Sequence, residues 1–176
     1  PTIEHEEALQ QSGKYVLCGM GGSHLQGDVL QNAYPGFDLS IHQDYGVPNW
    51  PDESLRSALV IASSYSGNTE ETISAFEEAV EREYSVSVIS TGGRLIELAR
   101  QHRIPFIQLP DTGIQPRSAL GFSFKALLAL LGESMALKEV SALAELLKVE
   151  DSEENGKKLA EQMAGKVPIV YASRRN

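Results

Sequence analysis

Ala58-Leu59-Val60-Ile61-Ala62-Ser63-Ser64-Tyr65-Ser66-Gly67-Asn68-Thr69-Glu70-Glu71 is an apolar run that breaks into a hydroxyl-rich turn. A helix-like segment follows at once, with Ile73, Phe76 and Val80 in one stripe and Glu77, Glu78 and Glu81 elsewhere on what reads as a solvated face. Strand, turn and helix in that order form one unit of an α/β fold. The same unit recurs on both sides. Tyr15–Cys18, Val86–Ile89 and Phe106–Leu109 are further apolar runs, and Leu39–His42 is a weaker fifth. Their near-continuous apolarity suits strands covered on both faces, as in a parallel sheet. Between them lie helical spacings: Leu25, Val29 and Ala33 after the first run, and Leu95, Ile96 and Leu98 behind Gly92-Gly93. The expectation is a doubly wound three-layer α/β sandwich with a mainly parallel five-stranded sheet. Its ligand would sit beyond the carboxyl ends of the strands.

From Ser118 onward the pattern turns helical, with segments at Ala119–Leu131, about Glu139–Leu147 and about Glu153–Met163. Asp151-Ser152-Glu153-Glu154-Asn155-Gly156 is the most polar stretch and reads as a boundary. Val167-Pro168-Ile169-Val170-Tyr171 reads as a fresh strand.

Composition narrows the function classes. The 176 residues, 41% hydrophobic and 22% charged, are ordinary for a globular chain. No apolar run is long enough to span a bilayer and no signal peptide is visible, so a soluble, cytoplasmic chain is expected, with no membrane partner. A formal net charge of −9 repels polyanions and argues against nucleic acid. Cys18 is the only cysteine, which rules out an internal disulfide. Within its apolar run it reads as a small buried hydrophobe.

Three turns carry chemistry. Ser64, Ser66 and Thr69 put three hydroxyls on one strand-to-helix turn, and Gly67 lets the backbone close in. A helix starting near Thr69 would aim its free amides at the same space, which suits a phosphate without any lysine. The plain alternative is an N-cap, with Asn68 or Thr69 capping the helix. A nucleotide-hydrolysing P-loop is excluded by spacing and by the missing lysine. The second turn, Gly19-Met20-Gly21-Gly22-Ser23-His24, resembles a dinucleotide fingerprint but fails at its third glycine, where His24 stands. Asp44, at the end of the weak strand, keeps an NAD-dependent rival in view. His24 reads as a helix-start residue near the ligand, or as an acid–base group, and Asp28 as structural. The third is Gln115-Pro116-Arg117-Ser118, where Arg117 would present a guanidinium to an anion or a developing oxyanion, or else form a surface ion pair. Arg94 reads as solvent-facing.

Together these residues resemble the sugar isomerase (SIS) domain family, which implies a flavodoxin-like strand order. Its Ser-x-Ser-Gly-x-Thr phosphate loop is matched by Ser64-Tyr65-Ser66-Gly67-Asn68-Thr69. The glycine turn Gly19–Ser23, Gly27-Asp28, Asp44-Tyr45-Gly46-Val47-Pro48 and Pro116-Arg117 are similar to the bifunctional phosphoglucose/phosphomannose isomerases within it. The resemblance implies aldose–ketose isomerisation of glucose 6-phosphate or mannose 6-phosphate to fructose 6-phosphate, without metal or cofactor. It implies a homodimer with a small-molecule sugar phosphate as ligand. Ser64, Ser66 and Thr69 would hold the phosphate, Gly22 and Ser23 would contact the sugar, and Arg117 would steady the enediolate. By the same resemblance, residues 1–150 form an SIS domain. Residues 151–176 form a helical linker and the first strand of a second one. The glutamate base and the ring-opening histidine, the latter from a partner subunit, would lie after Asn176. A regulatory SIS module that binds a phosphosugar without catalysis is the alternative.

Overall fold

The computed structural model describes residues 1–169. Five strands form one sheet: β1 (Tyr15–Cys18), β2 (Leu39–His42), β3 (Leu59–Ser63), β4 (Ser85–Ser90) and β5 (Phe106–Gln108). The order is β2-β1-β3-β4-β5 and every pairing is parallel. The α/β expectation, including the flavodoxin-like order, holds. The central strands β1 and β3 are buried at every position, which is why they read as unbroken apolar runs.

Helices cover both faces. On one side α2 (Asp52–Arg56), α3 (Glu70–Glu81) and α4 (Gly93–His102) pack on Val16, Val60, Ala62, Val86 and Val88 through Leu55, Ala75, Phe76, Ala79, Leu95 and Leu98. On the other lie α1 (Leu25–Ala33) and α5 (Leu120–Leu130), in contact with each other. The stripe Leu25, Val29 and Ala33 is not the inward face of α1; Gln26, Gly27 and Leu30 are. A Cβ at Gly27 would fall 2.7 Å from Leu17 and 3.0 Å from Ile41. The helix therefore lies on the sheet through a position that hydrophobic periodicity cannot register.

Helices α6 (Ser134–Leu146) and α7 (Val149–Met163) complete the elements. The chain divides into two compact units, Pro1–Lys138 and from Glu139 onward. The polar stretch 151–156 lies inside α7 rather than breaking it, with the i,i+4 pairs Glu153–Lys157 and Glu154–Lys158 at 2.8 and 2.7 Å. The expected strand at Val167–Tyr171 has no regular element over 167–169, and the rest lies outside the described residues. No helix among the described residues is long and apolar enough to cross a membrane. Cys18 is buried, and burial, with the charge of Glu78 adding to it, pushes its thiol up to about 12. That leaves it a packing residue rather than a nucleophile.

Glu78 is not simply solvated. Its carboxylate accepts the Val47 N–H at 2.9 Å and pairs with Arg82 at 2.9 Å, tying the loop after β2 to α3. Nearby, Asp52 accepts the Tyr84 hydroxyl at 2.5 Å and the Arg56 guanidinium at 2.6 Å. The Tyr84 hydrogen bond, then that of Arg56, holds the Asp52 carboxyl below its ordinary 3.8. A lowered carboxyl contributes stability above its unfolded value and loses it as pH falls through the folded one. Tyr84→Phe is therefore expected to destabilise the protein near neutral pH. Its gap to wild type should close well below pH 3.8, read as urea midpoints at the two pH values.

Candidate functional site

The sheet order reverses between β1 and β3, so the chain leaves these neighbouring strands in opposite directions and opens a crevice at their carboxyl ends. Both hydroxyl- and glycine-rich turns lie there. After β3, Ser64–Thr69 leads into α3; after β1, Gly21–Ser23 forms a 3₁₀ turn leading into α1. A third segment, the 3₁₀ turn Pro116–Ala119, leads into α5.

The phosphate-type turn is held from three sides. Ser64 N–H donates to the Ile89 carbonyl at 3.1 Å, and Thr91 donates both its N–H (3.1 Å) and its hydroxyl (2.6 Å) to the Tyr65 carbonyl. The Asn68 side-chain carbonyl accepts the Arg94 N–H at 3.0 Å. Gly67 has φ +70°, and a Cβ there would sit 1.8 Å from the Gly92 carbonyl oxygen. Only glycine fits.

Neither Asn68 nor Thr69 caps α3. Thr69 occupies the cap position in extended geometry, but its side chain makes no capping hydrogen bond, and Asn68 is turned to α4. The leading amides of α3 keep no side-chain acceptor, which leaves them for a ligand.

The hydroxyls differ in their surroundings. Ser66 is exposed, and its oxygen accepts the Asn68 N–H at 3.3 Å, leaving its proton free. Ser64 is 1% exposed; its oxygen accepts the Gly67 N–H at 3.1 Å and lies 2.8 Å from the Thr69 hydroxyl. Ser64 and Thr69 thus share one hydroxyl–hydroxyl bond, in which either oxygen can donate. Ser64 is buried within the turn, Thr69 is half-buried and Ser66 is exposed.

The other two segments meet this turn. Ser23 Oγ accepts the Tyr65 N–H at 3.0 Å. Gly22 abuts the third segment, since a Cβ there would lie 3.1 Å from the Arg117 nitrogen. Arg117 is exposed and has no ion-pair partner among the described residues, so the surface ion pair considered for it does not form. All six expected residues therefore stand on three touching segments around one crevice. Beneath them Gly22, Ser23, Ser63, Tyr65 and Pro116 line a small pocket with about 10 Å³ of free space, room for a single water. His24 pairs with Asp28 at 3.2 Å. Asp44 accepts the N–H of its own neighbour, Tyr45, at 2.8 Å. Among the described residues no group of three or more His, Cys, Asp or Glu side chains could hold a metal ion. Sequence reasoning missed Thr91, Asn68 and Gln26 as supports of the site. Their partners lie on other loops, and no local signal announces them.

No family model matches the chain. It is 37% identical over 174 residues to a bifunctional phosphoglucose/phosphomannose isomerase of Caldicellulosiruptor bescii, covering 90% of this chain and 50% of that protein. To the protein of the same name from Aquifex aeolicus it is 37% identical over 164 residues, covering 90% of this chain and 49% of the relative. The chain thus spans about half the length of these curated relatives. A crystal structure described as a putative phosphosugar isomerase from Salmonella typhimurium superposes with a TM-score of 0.61 at 17% identity, covering 93% of this chain and 55% of that one. That likeness concerns the fold.

Two stability outcomes follow from the turn. Gly67→Ala is expected to cost about 3 kcal/mol or more in urea unfolding, since left-handed strain and a backbone clash act together. Ser64→Ala should cost about 1–2 kcal/mol by leaving Thr69 without its hydroxyl partner and the Gly67 amide with the Ser64 carbonyl alone, whereas Ser66→Ala should stay within about 0.5 kcal/mol.

Proposed function

We propose, for a chain that belongs to the sugar isomerase (SIS) domain family, that it forms the phosphosugar-binding, N-terminal half of a sugar-phosphate aldose–ketose isomerase. The substrates in this reading are glucose 6-phosphate and mannose 6-phosphate, with fructose 6-phosphate as the common ketose. The observation that supports it is the start of α3 without a side-chain cap, on the same turn as the exposed Ser66 hydroxyl and the half-buried Thr69 hydroxyl.

A terminal phosphate there takes hydrogen bonds from the α3 amides and from the hydroxyls of the turn, Ser66 first among them as the exposed one. Each bond to a charged acceptor contributes roughly 1.5–3 kcal/mol. Opposing it are Glu70 and Glu71 in the first turn. The Glu70 carboxylate accepts the Tyr45 hydroxyl at 3.3 Å, and it stands in solvent. An exposed unit charge a few ångströms away costs about 1 kcal/mol in water, so the local donors win. The long-range field of a −9 chain is screened beyond roughly 8–10 Å.

With the phosphate anchored, the sugar extends toward the Gly22–Ser23 turn, where glycine permits close approach and the serine hydroxyl adds a polar contact. Arg117 faces the far end. Isomerisation moves a proton between adjacent carbons through an enediolate, and an unpaired guanidinium is the group that stabilises its negative charge. The proton-moving glutamate and histidine are not assigned to this chain; in this reading they come from the remainder of the enzyme and its partner subunit.

Calorimetric titration with fructose 6-phosphate and with fructose tests the reading. The phosphorylated sugar should bind, and joint Ser66→Ala and Thr69→Val replacement should weaken it by about tenfold or more. Equal affinity for fructose and fructose 6-phosphate overturns it.

A further inference from the structure

Gln26 is completely buried behind the two ligand-facing turns. Its Nε2 donates to the Ser23 carbonyl at 2.8 Å and to Ser63 Oγ at 2.8 Å. A carbonyl can only accept, so the nitrogen end of the amide must face Ser23. The other end, Oε1, is buried without a partner.

We propose that Gln26 is a positioning residue that sets the sugar-facing turn in register with the phosphate turn. Three contacts carry this. Gln26 bridges the backbone of Ser23 and the side chain of Ser63, the last residue of β3 before the phosphate turn. Ser23 in turn receives the Tyr65 N–H on its hydroxyl at 3.0 Å, closing a loop of bonds between the turns. Gly19 fixes how near they approach, since a Cβ there would lie 2.8 Å from the Ser63 carbonyl oxygen and 2.9 Å from that of Ser23. Gly19 therefore sets the gap, and Gln26 sets the slide along it.

Methionine would fill similar space. What methionine cannot do is hold the Ser23 carbonyl and the Ser63 hydroxyl together. The ligand consequence rests on the function proposed above. With the turns out of register, a phosphate still finds its donors on α3, but the sugar attached to it no longer meets Gly22 and Ser23.

The test compares wild type with Gln26→Met by calorimetry against fructose 6-phosphate and inorganic phosphate, and by amide hydrogen exchange without ligand. Fructose 6-phosphate should bind roughly tenfold more weakly while inorganic phosphate changes by less than about twofold. Exchange at the Tyr65 amide should accelerate by about tenfold or more while Val60 and Ala62 in β3 stay protected. Unchanged Tyr65 exchange, or equal weakening of both ligands, overturns the proposal. If wild type itself binds no sugar phosphate, the functional reading fails, and the exchange result alone judges Gln26. Should Gln26→Met not fold, Gln26→Asn, which keeps the amide but shortens its reach, takes its place under the same criteria. Failure of both to fold assigns Gln26 to stability and overturns the idea.

Discussion

A helix that begins at the carboxyl end of a fully buried strand, with its leading amides uncapped, is the constraint on which the site depends. Unpaired amide donors call for an acceptor, and here the nearby polar side chains are committed elsewhere. Asn68 serves α4, Ser64 serves the turn itself, and Thr69 shares its hydroxyl with Ser64. Cap residues are usually satisfied by closing on their own helix. In this chain the turn is braced from outside, by Ile89, Thr91 and Gly92, so that its inner donors remain open.

In the proposed function, that bracing lets an acidic chain offer an anion site without a lysine. Hydrogen-bond donors at contact distance act locally, whereas net charge acts through screened solvent. Position decides, not the sum of charges. It also explains the use of glycine where a backbone passes close to another: Gly67 against the Gly92 carbonyl, and Gly19 between the carbonyls of Ser63 and Ser23. Each permits two loops to approach more closely than a side chain would allow, and the crevice is the space those approaches leave.

Much of the architecture was legible because burial on both sides of a parallel sheet leaves a plain mark. Tyr15–Cys18 and Leu39–His42 appear with the expected bounds, β3 and β4 differ by one residue at each end, and β5 is one residue shorter. The expectations that failed share one cause. Hydrophobic spacing presumes that the inward face is the apolar one. Helix α1 instead turns Gln26 and Gly27 inward, one held by two hydrogen bonds and the other required by close packing. Glu78 looked like a solvated carboxylate because its partners, Val47 and Arg82, include a backbone amide from a distant loop. The polar stretch at 151–156, read as a boundary, lies within α7, where charges one turn apart pair along the helix.

From sequence alone came the strand–turn–helix repeat, the three candidate site segments and the residue types that could hold a phosphate. These are local matters of periodicity, turn chemistry and hydroxyl spacing. Only the tertiary structure decided which hydroxyl of the turn is buried and which exposed, that Thr69 does not cap α3, and that Gly22 abuts Arg117. Those outcomes depend on hydrogen-bond partners and steric approaches between loops far apart in the chain. Folding brings them together at the reversal point of the sheet, and no spacing along the sequence encodes that distance.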